Sequence, residues 1–307
     1  MTQVGYGNTI AVTGATGFVG QALVENLSAA GYGVIGISER PEPPSRISGL
    51  LKEYVRADLT RGWPTTGPFN GVVHLAGLAA VQPSFDHPQD YLNTNSSMVT
   101  HFFEHALRHA WNGRTLIVSS GAVYGTACSD SGFTEESPVV ATSPYVVSKL
   151  LVETQVEYYR RRGVEALVVR PFNHIGPGQG PGFVVPDLAH QVASAQRGGD
   201  LAVGNLHSAR DYTDVRDIAR AYRLLLELPN PRESTYNVCS GHAHTGWQVL
   251  DAVCEALGRE VPPTRVTDSR AIDPEVITGS AARLRLETGW VPTYMFAESI
   301  SDFVSSS

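Results

Sequence analysis

Cysteine is scarce in this chain: Cys128, Cys239 and Cys254 are the only three in 307 residues. An odd number, widely spaced, fits neither a disulfide framework nor a zinc site, and points to a reducing cytoplasm. No apolar run approaches the roughly 20 residues of a membrane span. The first residues, Met-Thr-Gln-Val-Gly-Tyr-Gly-Asn, carry no basic stretch and no apolar core, so no secretory signal is expected. Basic clusters are also missing, apart from Arg160-Arg161-Arg162, which ends a helical stretch where positive charge suits the helix dipole. With a net charge of −7, the chain is not expected to bind nucleic acid. An anionic ligand must instead be gripped locally, by helix N-termini and a few arginines. There is no internal repeat, and no low-complexity tract beyond Ser305-Ser306-Ser307.

What is present is alternation. Strand-like apolar runs at Gly33–Ile37, Gly71–Leu75, Thr115–Val118 and Ala166–Val169 are separated by helix-like stretches. That order predicts an α/β fold, a doubly wound parallel sheet with helices on both faces. The chain is long enough for one large domain, or for a large and a small one. Gly176 to Gly182 holds four glycines and two prolines and reads as a loop. The chain is therefore divided into residues 1–172, a dinucleotide-binding half, and 173–307, a smaller substrate lobe interleaved with the last strands of the sheet. Helices are expected near Val184–Arg197, Asp214–Leu228 and Trp247–Leu257.

Three motifs carry the chemistry. The strand Thr9–Thr13 runs into Gly14-Ala15-Thr16-Gly17-Phe18-Val19-Gly20 and then a helical run to about Ala30. Strand, glycine turn and helix together make a pyrophosphate cradle. Gly14 permits the turn, Gly17 the approach of a pyrophosphate, and Gly20 close helix packing. The helix N-terminus offers N–H groups and positive potential to phosphates. Next, Tyr145 and Lys149 stand four apart in Tyr-Val-Val-Ser-Lys, on one face of a helix that Ser143 would cap and Pro144 would open. An ammonium near the phenol favours its ionised form and prepares it to exchange a proton with a sugar hydroxyl or ketone. Finally, Ser120 follows the strand Thr115–Val118, where an open parallel sheet meets its ligand, and precedes Tyr145 by 25 residues. Its hydroxyl can hold the oxygen that Tyr145 protonates.

Together these segments resemble the extended short-chain dehydrogenase/reductase superfamily, in its nucleotide-sugar branch, over nearly the whole chain. The resemblance implies a Rossmann fold and a Ser120–Tyr145–Lys149 triad. In it Tyr145 is the acid/base, Lys149 binds the nicotinamide ribose, and Ser120 orients the sugar oxygen. It also implies cofactor contacts at Gly14, Thr16, Gly17, Phe18, Val19, Gly20, Asp58, Leu59, Leu75, Ala76 and Gly77, and a structural role for Asn95. Downstream, Arg170–Gln179, Phe183–Asp187, Val203–Leu206, Arg210–Asp217 and Tyr236–Gly241 are similar to reductases of GDP-4-keto-6-deoxy sugars. That likeness implies substrate contacts at Ser120, Asn173, Val184, Asn205, Arg210 and Arg270, a GDP-sugar as favoured substrate, and a homodimer built on the Tyr145 helix and the helix near Tyr91–Arg108. At Arg270 the likeness thins: relatives carry Arg-Pro-x-Asp, and this chain has Arg270-Ala271-Ile272-Asp273.

Cofactor and reaction each leave a choice open. The second strand ends at Ser38, followed by Glu39 and Arg40. An NAD site normally places a carboxylate at that strand end. Ser38 leaves room for a 2′-phosphate that Arg40 can pair with, which favours NADP(H). Glu39 keeps NAD(H) open. As to the reaction, a dehydratase of this superfamily carries carboxylates directly after the triad hydroxyl. Gly121 and Ala122 stand there and cannot titrate. A 4-ketoreductase is favoured over a 4-epimerase, which shares the triad. A non-catalytic NADP(H)-binding sensor fits less well, since the Tyr–Lys pair is kept. His174 is open as a second acid or a packed loop residue, and Asp214 and Asp217 are expected to cap a helix.

Overall fold

A computed structural model describes residues 9–125, 132–195, 200–266 and 276–306. The apolar runs form strands β1 (Thr9–Thr13), β2 (Gly33–Ser38), β3 (Glu53–Arg56), β4 (Gly71–His74), β5 (Arg114–Val118) and β6 (Ala166–Pro171). Further strands follow: β7 (Asn173–Ile175), β8 (Leu201–Val203), β9 (Ala209–Asp214), β10 (Thr235–Val238), β11 (Ala243–Thr245), β12 (Thr264–Val266) and β13 (Val276–Ile277). The helices are α1 (Phe18–Ala29), α2 (Ser45–Ser48), α3 (Pro83–Asp86), α4 (Pro88–Arg108), α5 (Pro144–Arg161), α6 (Val184–Ser194), α7 (Val215–Glu227), α8 (Gly246–Ala256), α9 (Ala282–Thr288) and α10 (Phe296–Ser305).

Seven strands pair in the order β10-β6-β5-β4-β1-β2-β3, every neighbour parallel. A strand covered on both faces must be apolar on both, which is why β1 and β4 are buried at every position. One core lies under α1 and α7 and contains Leu23, Leu27, Ile218 and Leu225. The other lies under α4 and α5 and contains Met98, Phe102, Val152 and Val156. This is the doubly wound Rossmann arrangement. The strand order reverses between β1 and β4, and the crevice at their carboxyl ends is where such sheets bind ligands.

The remaining strands make two small sheets. One runs β11-β9-β13 with β7 also on β9; the other is β12-β8. A third core, with Val185, Leu188, Val249, Leu250 and Ile300, lies between α6, α8 and α10. The chain enters this part after β6, returns to the large sheet for α7 and β10, and leaves again. Of the two expected caps, Asp214 is one: its carboxylate accepts from Arg216 N and opens α7. Asp217 is not. It is fully buried, pairs with Arg220, and accepts the backbone N–H groups of Thr293 and Tyr294 at 2.7 and 3.0 Å, anchoring the chain ahead of α10.

Candidate active site

The carboxyl ends of β1, β4 and β5 and the first turns of α5 converge on one place. Ser143 caps α5 through a bond from Val146 N, and Pro144 opens it, so Tyr145 and Lys149 point from its first two turns. Ser120 caps a short 3₁₀ turn at Gly121–Tyr124, accepting from Ala122 N at 3.1 Å. The Ser120 hydroxyl is also hydrogen-bonded to the Tyr145 side chain. Lys149 donates to the carbonyl of Val118 at 2.9 Å, and its ammonium lies 5.8 Å from the Tyr145 ring centroid.

The electrostatics differ from the sequence expectation in one respect. Burial raises the pKa of Tyr145, and Ser120 pulls it partly back. The ammonium is turned to Val118, and a buried phenol loses more by desolvation than it recovers. Lys149 itself is pulled down to about 8 by burial, against the opposing effect of Glu153.

The glycine turn sits against β4. Gly14 has φ +66°, and a Cβ there would come within 2.9 Å of Ala76 N. A Cβ on Gly20 would run into the carbonyl of Gly14, so only glycine lets α1 approach β1 this closely. Leu75 N and Ala76 N both donate to Thr13 Oγ1 at 3.1 Å. Thr13 therefore gives its own proton to His74 Nδ1, at 2.9 Å. Asn95 accepts from Leu78 N and donates to Ser148 Oγ, locking the loop after Gly77 to α5. Ser38 is hydrogen-bonded to Thr16 at 2.7 Å. Beyond it lies a cavity of about 450 Å³ lined by Glu39, Arg56, Ala57, Asp58 and Arg61. The Asp58 carboxylate is held low, chiefly by bonds from Thr60, and pairs with Arg61. Leu59 is buried, and Arg40 is exposed on the loop that follows Ser38. Glycines that leave backbone room, helix-terminal N–H groups and a lysine beside Gly77 fit a dinucleotide.

Sheet pairing gathers a second group. β7 lies beside β9 with Asn173 opposite Tyr212, and the Asn173 side chain hydrogen-bonds Tyr212, which also feels the Arg210 charge. Val184 opens α6 and is exposed, while Asn205 sits in the turn after β8, its Oδ1 accepting from His207 N. Arg270 lies outside the described residues. His174 is packed: it stacks on Phe18 at 5.8 Å, bonds the carbonyl of Phe172, and burial lowers its pKa.

Known proteins match this arrangement. The NAD dependent epimerase/dehydratase family matches residues 10–239. The chain belongs to this family. It is the extended short-chain dehydrogenase/reductase group that the three motifs resemble, and the chain is an enzyme of it. It is 32% identical to the GDP-6-deoxy-D-mannose reductase of Pseudomonas aeruginosa, over 96% of this chain and 95% of that one. Among solved structures, RMD from Pseudomonas aeruginosa complexed with NADPH is similar with a TM-score of 0.83 and 31% identity, covering 97% of this chain and 98% of that one. The UDP-glucose 4-epimerase of Thermus thermophilus, in complex with NAD, has a TM-score of 0.84 at 27% identity, covering 97% and 98%.

Within this family the wall beside Ser120 is informative. A Cβ on Gly121 would lie 2.8 Å from the Phe172 ring, so a titrating side chain has no room there. Sequence reasoning missed the Thr13–His74 pair and Glu153. For Glu153 a signal existed: Tyr145, Lys149 and Glu153 recur every four residues on α5.

Proposed function

We propose that this enzyme reduces the 4-keto group of a nucleotide-linked 6-deoxy-hexulose, GDP-4-keto-6-deoxy-D-mannose to GDP-D-rhamnose. The ring of Phe172 over Gly121 leaves no room for the extra carboxylate that dehydration needs, and the observation that tips the remaining choice to reduction is the 32% identity over 96% of the chain to such a reductase. Likeness to a GDP-6-deoxy-D-mannose reductase supports the sugar. Bound NAD(P)H supplies the hydride to the ketone carbon. Ser120, its oxygen already holding Ala122 N, offers its proton to the ketone oxygen. Tyr145, buried and protonated, gives its proton to the forming alkoxide, and the Lys149 ammonium stabilises the resulting phenolate. Asn173 and Arg210 are assigned to the diphosphate and sugar, with Val184 and Asn205 as further contacts from segments outside the seven-stranded sheet and Arg270 as a further contact by resemblance alone.

The preferred cofactor is proposed to be NADP(H). Ser38 is turned to Thr16, Asp58 is engaged by Thr60 and Arg61, and Arg40, Arg56 and Arg61 stand near the end of β2. Glu39 on the same cavity is what keeps NAD(H) open. A homodimer through α4 and α5 is proposed from the exposed apolar stripe Val147, Leu151 and Tyr158. A second reading, a nucleotide-sugar 4-epimerase, draws on the fold shared with the Thermus enzyme. The test is consumption of NADPH and NADH with the GDP-keto-sugar. Stoichiometric loss of reduced cofactor, falling about 10²- to 10⁴-fold in Tyr145→Phe, is expected. No consumption sinks the GDP-rhamnose reading and sends the search to UDP- and dTDP-sugars, beginning with epimerase assays.

A further inference from the structure

The charged walls of the cavity beyond Ser38 are not equivalent. Arg61 pairs with Asp58 at 3.1 Å, and Asp58 also accepts from Thr60 N and Thr60 Oγ1 at 3.0 and 2.6 Å. Arg56 is committed differently. It ends β3 beside Ser38 of β2 in the parallel register, and its Nε donates to the carbonyl of Glu39 at 3.2 Å. Among the described residues no carboxylate forms an ion pair with it. Tyr54 stands two residues earlier on the same face of β3 and donates to the carbonyl of Arg40 at 2.7 Å. Ala57 N donates to the carbonyl of Ser38 at 2.9 Å. Three successive carbonyls of the loop after β2 are thus held from β3 and the residue that follows it. Arg40, the cation expected from the sequence to meet a 2′-phosphate, is exposed and is not part of the cavity wall.

We propose that Arg56, at the end of β3, is the residue that selects the cofactor: its guanidinium, rather than that of Arg40, takes the 2′-phosphate. This rests on the reading that the cofactor is NADP(H). The bond from Nε to the Glu39 carbonyl holds the guanidinium plane at the cavity and leaves both Nη groups for phosphate oxygens. A planar fork of donors suits a phosphate monoester better than a point charge does. The usual anchor for a ribose diol is absent, because Ser38 occupies the strand end and its hydroxyl is bonded to Thr16. Charge points the same way. The cavity wall carries two carboxylates, Glu39 and Asp58, and two guanidiniums, Arg56 and Arg61. Without Arg56 that wall is net negative, which repels a phosphate dianion and suits an uncharged diol.

NADPH and NADH differ only in the 2′-phosphate, so their binding to the full chain, measured by isothermal titration calorimetry without any sugar, isolates this contact. Wild type is expected to bind NADPH the more tightly. In Arg56→Ala the NADPH affinity should fall about 10- to 100-fold, the range for a hydrogen bond to a charged group, while NADH affinity changes less than about twofold. Arg56→Lys, which keeps the charge and loses the fork, should recover part of the loss. Arg56→Gln can still donate to the Glu39 carbonyl but carries no charge. It should lose NADPH affinity as alanine does, and it replaces alanine should that variant not fold. A preference for NADPH kept in these variants overturns the proposal. An equal loss for both cofactors also overturns it, since Arg56 would then only brace the loop. A loss confined to Arg40→Ala returns the phosphate to the loop and overturns it as well. Wild type binding NADH as tightly as NADPH defeats the cofactor reading, and the proposal with it, before any variant is made.

Discussion

His74 binds its proton badly for two reasons. It is fully enclosed, and Lys149 is a cation beside it, so its pKa falls from 6.5 to about 3. An imidazole exposed in the unfolded chain keeps the ordinary value. Between pH 6.5 and 3 the unfolded state therefore binds more protons than the folded state, and stability falls as pH falls through that window. The slope from this one group is about 1.4 kcal/mol per pH unit. In His74→Asn, whose amide oxygen can still accept from Thr13, urea unfolding from about pH 7 to about pH 4 should show a shallower acid loss. An unchanged slope would mean that other groups dominate. Lys149, depressed to about 8, acts in the same sense at higher pH: its contribution improves as pH rises from about 8 toward the unfolded value.

The α5 helix shows what an element adds to its residues. Its first turn is fixed by the Ser143 hydroxyl on Val146 N, and Tyr145 sits inside that turn. Ser143→Ala should cost about 1 kcal/mol in denaturant unfolding. It should also lower kcat more than it raises KM, because fraying displaces the proton donor. This helix was legible in the sequence because cap, proline and four-residue spacing are all local. The glycine turn and the first strands were legible for the same reason. The pairing of β7 with β9 was not, since Asn173 meets Tyr212 only through the folded sheet. Glu153 belongs to the same class: its spacing was visible, but its partner Arg170 comes from another element. The raised pKa of Tyr145 was not legible either, because spacing reveals a neighbouring charge and does not reveal burial.

For the molecule as a whole, the exposed stripe Val147, Leu151 and Tyr158 is the surface on which the proposed dimer is tested. If α4 and α5 pair across a two-fold axis, light scattering should give twice the chain mass of 33.0 kDa. Leu151→Asp, which places charge in that apolar stripe, should then halve it. A wild-type mass of one chain would remove the dimer. The order of the large sheet has a different consequence. Its edge strand β10 is made after β7, β8 and β9 have already left for the small sheets. A cut between Phe172 and Asn173 would strip the first piece of β10 and α7, leaving the flank of β6 and one face of the sheet open. Neither piece should fold alone. Mixed together, they should reassemble as two chains of one enzyme, so the junction between β6 and β7 is a natural place to divide this protein for complementation.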